Sequence, residues 1–231
     1  TRQLKSESSV RARLRQTFCL RINNKNTSRL HMLIGSPSDF AIEVVVEPDL
    51  KVPSAVWGRM CVHIGKMTLG DFNDPYCALY PAYGHFEWHA KHRDRLWDPI
   101  FDGLAPEEIH DVVRAAIYGD DERTMDQIQR DSRRYAAFDF LTNWGEQFDG
   151  YSSVIVSPEP DAVMVLHRPY VEPDSPRRLP MDFLVARCSR SAFINASAAF
   201  VEWFDRQADR LQREEAEQSR EPERRSQADL T

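Results

Sequence analysis

Between Phe40 and Ile64 the chain twice alternates side chains with period two, and a glycine-first turn follows at once; nothing else in the sequence constrains the fold as strongly. Phe40, Ile42, Val44 and Val46 alternate with Ala41, Glu43, Val45 and Glu47 until Pro48-Asp49 stops the run, the pattern of a half-buried strand. In the second run Val56, Gly58, Met60, Val62 and Ile64 share one face, and Trp57, Arg59, Cys61 and His63 share the other. Gly65-Lys66 then forms a two-residue turn into residues 67–72. So short a connection joins antiparallel strands only.

Residues 73–104 are irregular in pattern and aromatic, with Tyr76, Tyr80, Tyr83, Phe86, Trp88, Trp97 and Phe101, and a short helix is expected over 87–98. Pro106 at a first helical position, with Glu107 and Glu108 in the first turn, opens a helix. Its Ile109, Val112, Val113, Ala116 and Ile117 form one stripe, and Gly119 ends it. A mostly solvated helix over 120–134 should turn Met125 and Ile128 inward. Strands over 151–156 and 162–168 are joined by Ser157-Pro-Glu-Pro-Asp161, and a proline-rich connector over 169–180 leads to a strand over 181–188. Ser191 is the expected cap of a long last helix, with Phe193, Ala196, Phe200, Trp203, Phe204 and Leu211 on one face. Strands, helices, strands and a helix in that order predict a single α+β domain, an antiparallel sheet with helices packed on one face.

No apolar run in the 231 residues approaches the ~20 residues of a membrane span, and four unpatterned cysteines make no disulfide framework. The net charge of −6 joins two unlike pieces. Residues 1–31 carry eight Lys/Arg against Glu7 alone, a net of +7, whereas from Met32 onward 22 basic and 35 acidic side chains leave −13. The head lacks the apolar content to offset ordering entropy. It reads as a disordered segment, an organelle transit peptide or a nucleic-acid-binding arm. It also reads as an extension of vector or upstream origin, with the native start at Met32. Residues 32–211 form the expected domain, and residues 212–231, almost free of apolar side chains, should fray into a charged tail.

Signatures of familiar chemistry are missing. No phosphate loop, dinucleotide fingerprint, Gly-x-Ser-x-Gly, His-Glu-x-x-His or Cys-x-x-Cys occurs. His85, His89 and His92 share a helix face at i, i+4 and i+7, a spacing that suits zinc, copper or nickel, with Cys77 or Asp94 to complete the set. A metal-dependent enzyme built on these three is therefore the alternative function. Against it, Lys91, Arg93 and Arg95 would repel a dication, so no cofactor or metal is expected. Cys61 and His63, two apart on one strand face, read as a nucleophile–base pair lacking a third member, or as packing residues. The acids gather locally: Asp71 and Asp74; Glu107, Glu108 and Asp111; Asp120, Asp121, Glu122 and Asp126. Such runs are either a solvated face or a field that steers a basic partner.

Several segments together resemble the immunity protein 42 family of bacterial polymorphic toxin systems. They are Met32-Leu-Ile-Gly-Ser-Pro-Ser-Asp-Phe-Ala-Ile-Glu43, Trp57-Gly-Arg-Met-Cys-Val-His-Ile-Gly65 running into Leu69-Gly-Asp-Phe72, and Ala116-Ile-Tyr-Gly-Asp120. The strand and helix over 183–204 close the set. The resemblance implies an α+β immunity protein in the cytoplasm that binds and neutralises a cognate secreted toxin, with no catalytic residues. The acidic body adds the expectation of a basic toxin, a nuclease for instance, blocked by stoichiometric occlusion without nucleic acid or membrane. Asp71, Asp120, Asp121 and Glu122, which project at turns or helix ends, are the expected charged contacts. Trp57 is read as core or as an aromatic anchor.

Overall fold

The computed structural model describes residues 31–47, 56–75, 77–92, 96–119, 122–169 and 182–228, with side chains described as far as 217 and at 219. The head up to residue 30 and the connector over 170–181 lie outside the described residues.

The first sheet is antiparallel throughout, β1 (His31–Gly35), β2 (Phe40–Val46), β3 (Trp57–Ile64) and β4 (Met67–Leu69) in spatial order, with the short β5 (Cys77–Ala78) also on β3. Helix α1 (Tyr80–Lys91) follows, then α2 (Pro106–Tyr118) and α3 (Met125–Tyr135). A second antiparallel sheet runs β6 (Asp139–Phe140), β7 (Tyr151–Glu159), β8 (Ala162–Pro169) and β9 (Leu184–Ser189), and α4 (Arg190–Ala228) leaves β9 directly.

The α+β class and the antiparallel pairing agree with the periodicity, but the strands divide between two sheets. β7 and β8 explain why. Ile155, Val163 and Val165 belong to a core shared with the first sheet, α1 and α4. Their neighbours Val154, Val156, Met164 and Leu166 belong to a second core beneath α2 and α3, with Phe101 and Phe138. Strands apolar on both faces need cover on both.

Helix α4 closes the shared core through Phe193, Ala196, Phe200, Trp203 and Phe204. Phe193 meets Phe40 edge-on, Phe200 meets Phe86, and Tyr83 stacks on Phe204 with centroids 4.4 Å apart. The β1–β2 turn approaches this helix closely: a Cβ on Gly35, at φ +100°, would lie 3.2 Å from the Ala196 Cβ and 2.4 Å from the Phe40 carbonyl oxygen. Gly65, at φ 59°, opens the β3–β4 turn as its sequence predicts.

Several local expectations change. β1 was not marked by the alternation, because its apolar stretch is short and lies at the sheet edge. Helix α1 spans Tyr80–Lys91, ahead of the 87–98 expectation, since Ala82, Phe86 and His89 are its buried positions. Met125, expected inward, is 67% exposed; it is the first residue of α3, whose buried anchor is Tyr135 at the other end. The cap of α4 is Ser189 rather than Ser191, its Oγ accepting from the Ala192 N–H at 3.3 Å. Residues 212–217 and 219 are exposed as expected, but the segment continues α4 as helix to Ala228. Good helix formers and ion pairs at i, i+4, Glu202–Arg206 and Arg210–Glu214, favour that outcome.

The sheets are tied at one corner. Asp39, in the β1–β2 turn, accepts from the Ser189 N–H and the Ser189 hydroxyl, both at 2.6 Å, while its carbonyl accepts from the Gly65 N–H at 2.9 Å. Asp39→Ala should lower unfolding free energy by about 2–3 kcal/mol, because hydrogen bonds to a charged group are lost; urea denaturation measures it, and Ser189→Ala should cost less.

The core also contains histidines. Burial, with His85 and His92 nearby, pushes the His89 imidazole down to about 3, and burial pushes His167 down to about 4. In the unfolded chain both protonate near 6.5, so below that pH the unfolded state binds more protons. Stability is then full above about pH 6.5 and falls as pH drops, by up to about 1.4 kcal/mol per unit for each histidine. His89→Leu, which removes a ring nitrogen that has no partner, should flatten the dependence of the urea midpoint between about pH 7 and pH 5.

Candidate functional site

Because successive strand residues face opposite ways, the side chains of the first sheet that alternate with its core residues gather on an outward face. These are His31 on β1, Glu43, Val45 and Glu47 on β2, and Trp57, Arg59, Cys61 and His63 on β3. The antiparallel register sets Glu43 opposite Cys61, Val45 opposite Arg59, and Ala41 opposite His63. One end of this face carries a buried ion pair, Arg59 Nε donating to Glu47 at 2.5 Å.

The centre is a compact polar cluster. Glu43 accepts from His63 Nε2 at 2.8 Å on one carboxylate oxygen and from His31 Nε2 at 2.6 Å on the other. The Cys61 Sγ lies 3.7 Å from Glu43 Oε2 and 3.6 Å from His63 Nε2. Thr68 on β4 holds the far nitrogen of His63, with Nδ1 to Oγ1 at 3.1 Å. Phe72, from the loop after β4, packs against His31 of β1 with centroids 5.7 Å apart, so it reaches across the face of β2 and β3. Burial works against the Glu43 carboxylate, but hydrogen bonds from His63 and His31 outweigh it and hold its pKa below the ordinary value. Burial and the Glu43 charge push the Cys61 thiol up to about 12. That weighs against the nucleophile–base reading of Cys61 and His63, since the thiolate is the nucleophile.

Of the residues singled out from the sequence, Trp57 is half-buried on this outward face, at the β3 end that pairs with β5. Asp71 follows β4; its Oδ1 accepts from the Asn73 N–H and its own N–H donates to the Gln147 carbonyl. Glu122 is exposed between α2 and α3, in the layer over the second sheet and away from that pair. Asp120 and Asp121 lie outside the described residues.

His85 and His89 lie on α1 and His92 is its C-terminal cap, and the three do not share a common centre. His85 stacks on Trp144, His89 is enclosed by Phe140, Trp144 and Phe193, and His92 stacks on Trp88 with Nδ1 at the Trp88 carbonyl. Among the described residues, the metal-ligating types whose donor atoms converge are Glu43, Cys61 and His63, all within 4.8 Å of one another. His31 and Phe72 escaped the sequence reading because they reach this place only through strand pairing and a loop.

Elsewhere, His110 Nε2 lies 3.2 Å from Ser152 Oγ, and His110 Nδ1 lies 3.1 Å from Asp111 Oδ1. The order imitates a hydrolytic triad, yet His110 and Ser152 are buried and Phe183 stands over the imidazole. Many acids are engaged within the fold. Arg168 pairs with Glu107 and Asp111, Arg134 forks onto Asp98, Arg187 pairs with Glu159, and Glu108 caps the Ala105 N–H.

Compared with known proteins, residues 32–175 match the family described as Immunity protein 42. The crystal structure of CdiI from Burkholderia dolosa AUO158 is similar in fold, with a TM-score of 0.50 and 13% identity over 74% of this chain and 99% of that chain. A comparison with curated proteins finds no match. Among the described residues no helix is long and apolar enough to cross a membrane.

The three described cysteines are buried, and burial pushes Cys61 and Cys188 up to about 12 and Cys77 up to about 11. In the native protein near neutral pH a thiol reagent should therefore label them far more slowly than in urea, as read by mass spectrometry of the labelled peptides. Rapid native labelling of Cys61 would restore it as a nucleophile.

Proposed function

The chain belongs to the immunity protein 42 family, a family of toxin-neutralising proteins, and we propose that it binds its cognate toxin one to one and blocks it by occlusion, without turnover. The observation that carries this reading is the extent of the family match, which takes in the first sheet from Met32 onward, α1 to α3 and the β7–β8 hairpin. On this reading the protein works in the cytoplasm of the producing cell.

The outward face of the first sheet is the contact surface this reading favours. It combines a half-buried tryptophan, Trp57, with the loop that carries Asp71 and leads into β5, the strand paired with Trp57. Aromatic anchors supply affinity at protein interfaces, and rim charges mainly set association rate. The charge of −13 from Met32 onward favours a basic toxin, a nuclease being one such protein. Glu122, with Asp120 and Asp121, would supply a second acidic contact on the α2–α3 side.

Co-expression with the neighbouring toxin gene tests the proposal. The chain should restore growth and co-purify with the toxin at one to one. Trp57→Ala should weaken the complex by about 2 kcal/mol or more, roughly 30-fold. Asp71→Lys should slow association most at low salt, as read by surface plasmon resonance. Absence of both rescue and complex would discard the reading, and full affinity in both variants would move the contact to another surface.

A further inference from the structure

We propose that Glu43, Cys61 and His63 form a three-ligand site for a borderline divalent cation of the zinc class, with His31 on the other Glu43 oxygen holding that carboxylate in place. The donor set supplies a thiol sulfur, an imidazole nitrogen and a carboxylate oxygen, ligand types zinc prefers, and leaves a fourth tetrahedral position open. With bonds of about 2.0 Å to N or O and 2.3 Å to S, ligand atoms around a tetrahedral zinc stand roughly 3.3–3.6 Å apart. The structure has Cys61 Sγ to His63 Nε2 at 3.6 Å and Cys61 Sγ to Glu43 Oε2 at 3.7 Å. The His63–Glu43 separation of 2.8 Å is a hydrogen bond that would open by about half an ångström to admit the ion.

The surroundings have the features that orient metal ligands. Thr68 Oγ1 at 3.1 Å from His63 Nδ1 can accept a hydrogen bond from Nδ1–H, the tautomer that leaves the Nε2 lone pair toward the cluster. Phe72 packs against the His31 ring, with centroids 5.7 Å apart. The ligands come from two adjacent strands, β2 and β3, whose register sets Glu43 opposite Cys61, so their spacing does not depend on a loop. A Glu carboxylate and a Cys thiolate would also neutralise a dication, which suits a half-buried position. This site is independent of α1 and its histidines, and it does not rest on the toxin-binding reading.

The untagged full-length chain, stripped with chelator and titrated with Zn2+, should bind one equivalent, and Mg2+ should not compete. Co2+ in place of zinc should give the near-ultraviolet thiolate-to-cobalt charge-transfer band, which is lost in Cys61→Ser and kept in Cys77→Ser. Glu43→Gln and His63→Ala should weaken Zn2+ binding by about 10- to 100-fold or more, and His31→Ala should weaken it less. Circular dichroism and the metal-free urea midpoint check that each variant folds. Sub-stoichiometric zinc in the wild-type chain, a cobalt complex without the thiolate band, or a band that survives Cys61→Ser would each overturn the proposal. None of these readouts involves a toxin, so a failed rescue experiment and a failed metal site are separate results.

Discussion

The hairpin of β7 and β8 is apolar on both of its faces, and the rest of the architecture answers that constraint. Ile155, Val163 and Val165 need cover on one side, and Val154, Val156, Met164 and Leu166 need it on the other. Each such side chain contributes about 1.5–3 kcal/mol when removed from water. The first sheet, α1 and α4 supply one cover, and α2 and α3 supply the other. The corner where Asp39 holds Ser189 sets where the two sheets meet, and α4 starts from that residue.

The first sheet is built differently. One of its faces lies in the shared core, and the opposite face carries His31, Glu43, Glu47, Trp57, Arg59, Cys61 and His63. Polar side chains there are organised into specific pairs, Arg59 with Glu47 and His63 with Glu43 and Thr68. A rigid strand frame under a polar, partly aromatic surface is a suitable base for binding, because the frame holds the contact groups at little entropic cost.

Charge takes on a more specific meaning in three dimensions. The sum over the chain suggests a broad acidic field, yet Glu107, Asp111, Asp98 and Glu159 are each paired with an arginine, and Glu108 caps a helix. A partner would meet what remains after those pairings.

Alternation from Phe40 to Ile64, the Gly65-Lys66 turn and the stripe of the Pro106 helix were legible in the sequence, because local periodicity and turn chemistry decide them. Trp57 was legible as an alternating strand position and Asp71 as a turn residue for the same reason, and both are half-buried in the fold. The sequence could not show that the strands divide between two sheets. That division depends on which faces of distant segments meet, a matter of long-range burial. The histidines of α1 stood out by spacing but are separated by aromatic packing. The cluster of His31, Glu43, Cys61 and His63 spans 33 positions and exists only because antiparallel register brings three strands side by side. Local pattern determined the elements and their exposed residues; tertiary pairing decided which of those residues became neighbours, because hydrogen-bonded register acts across any distance in sequence.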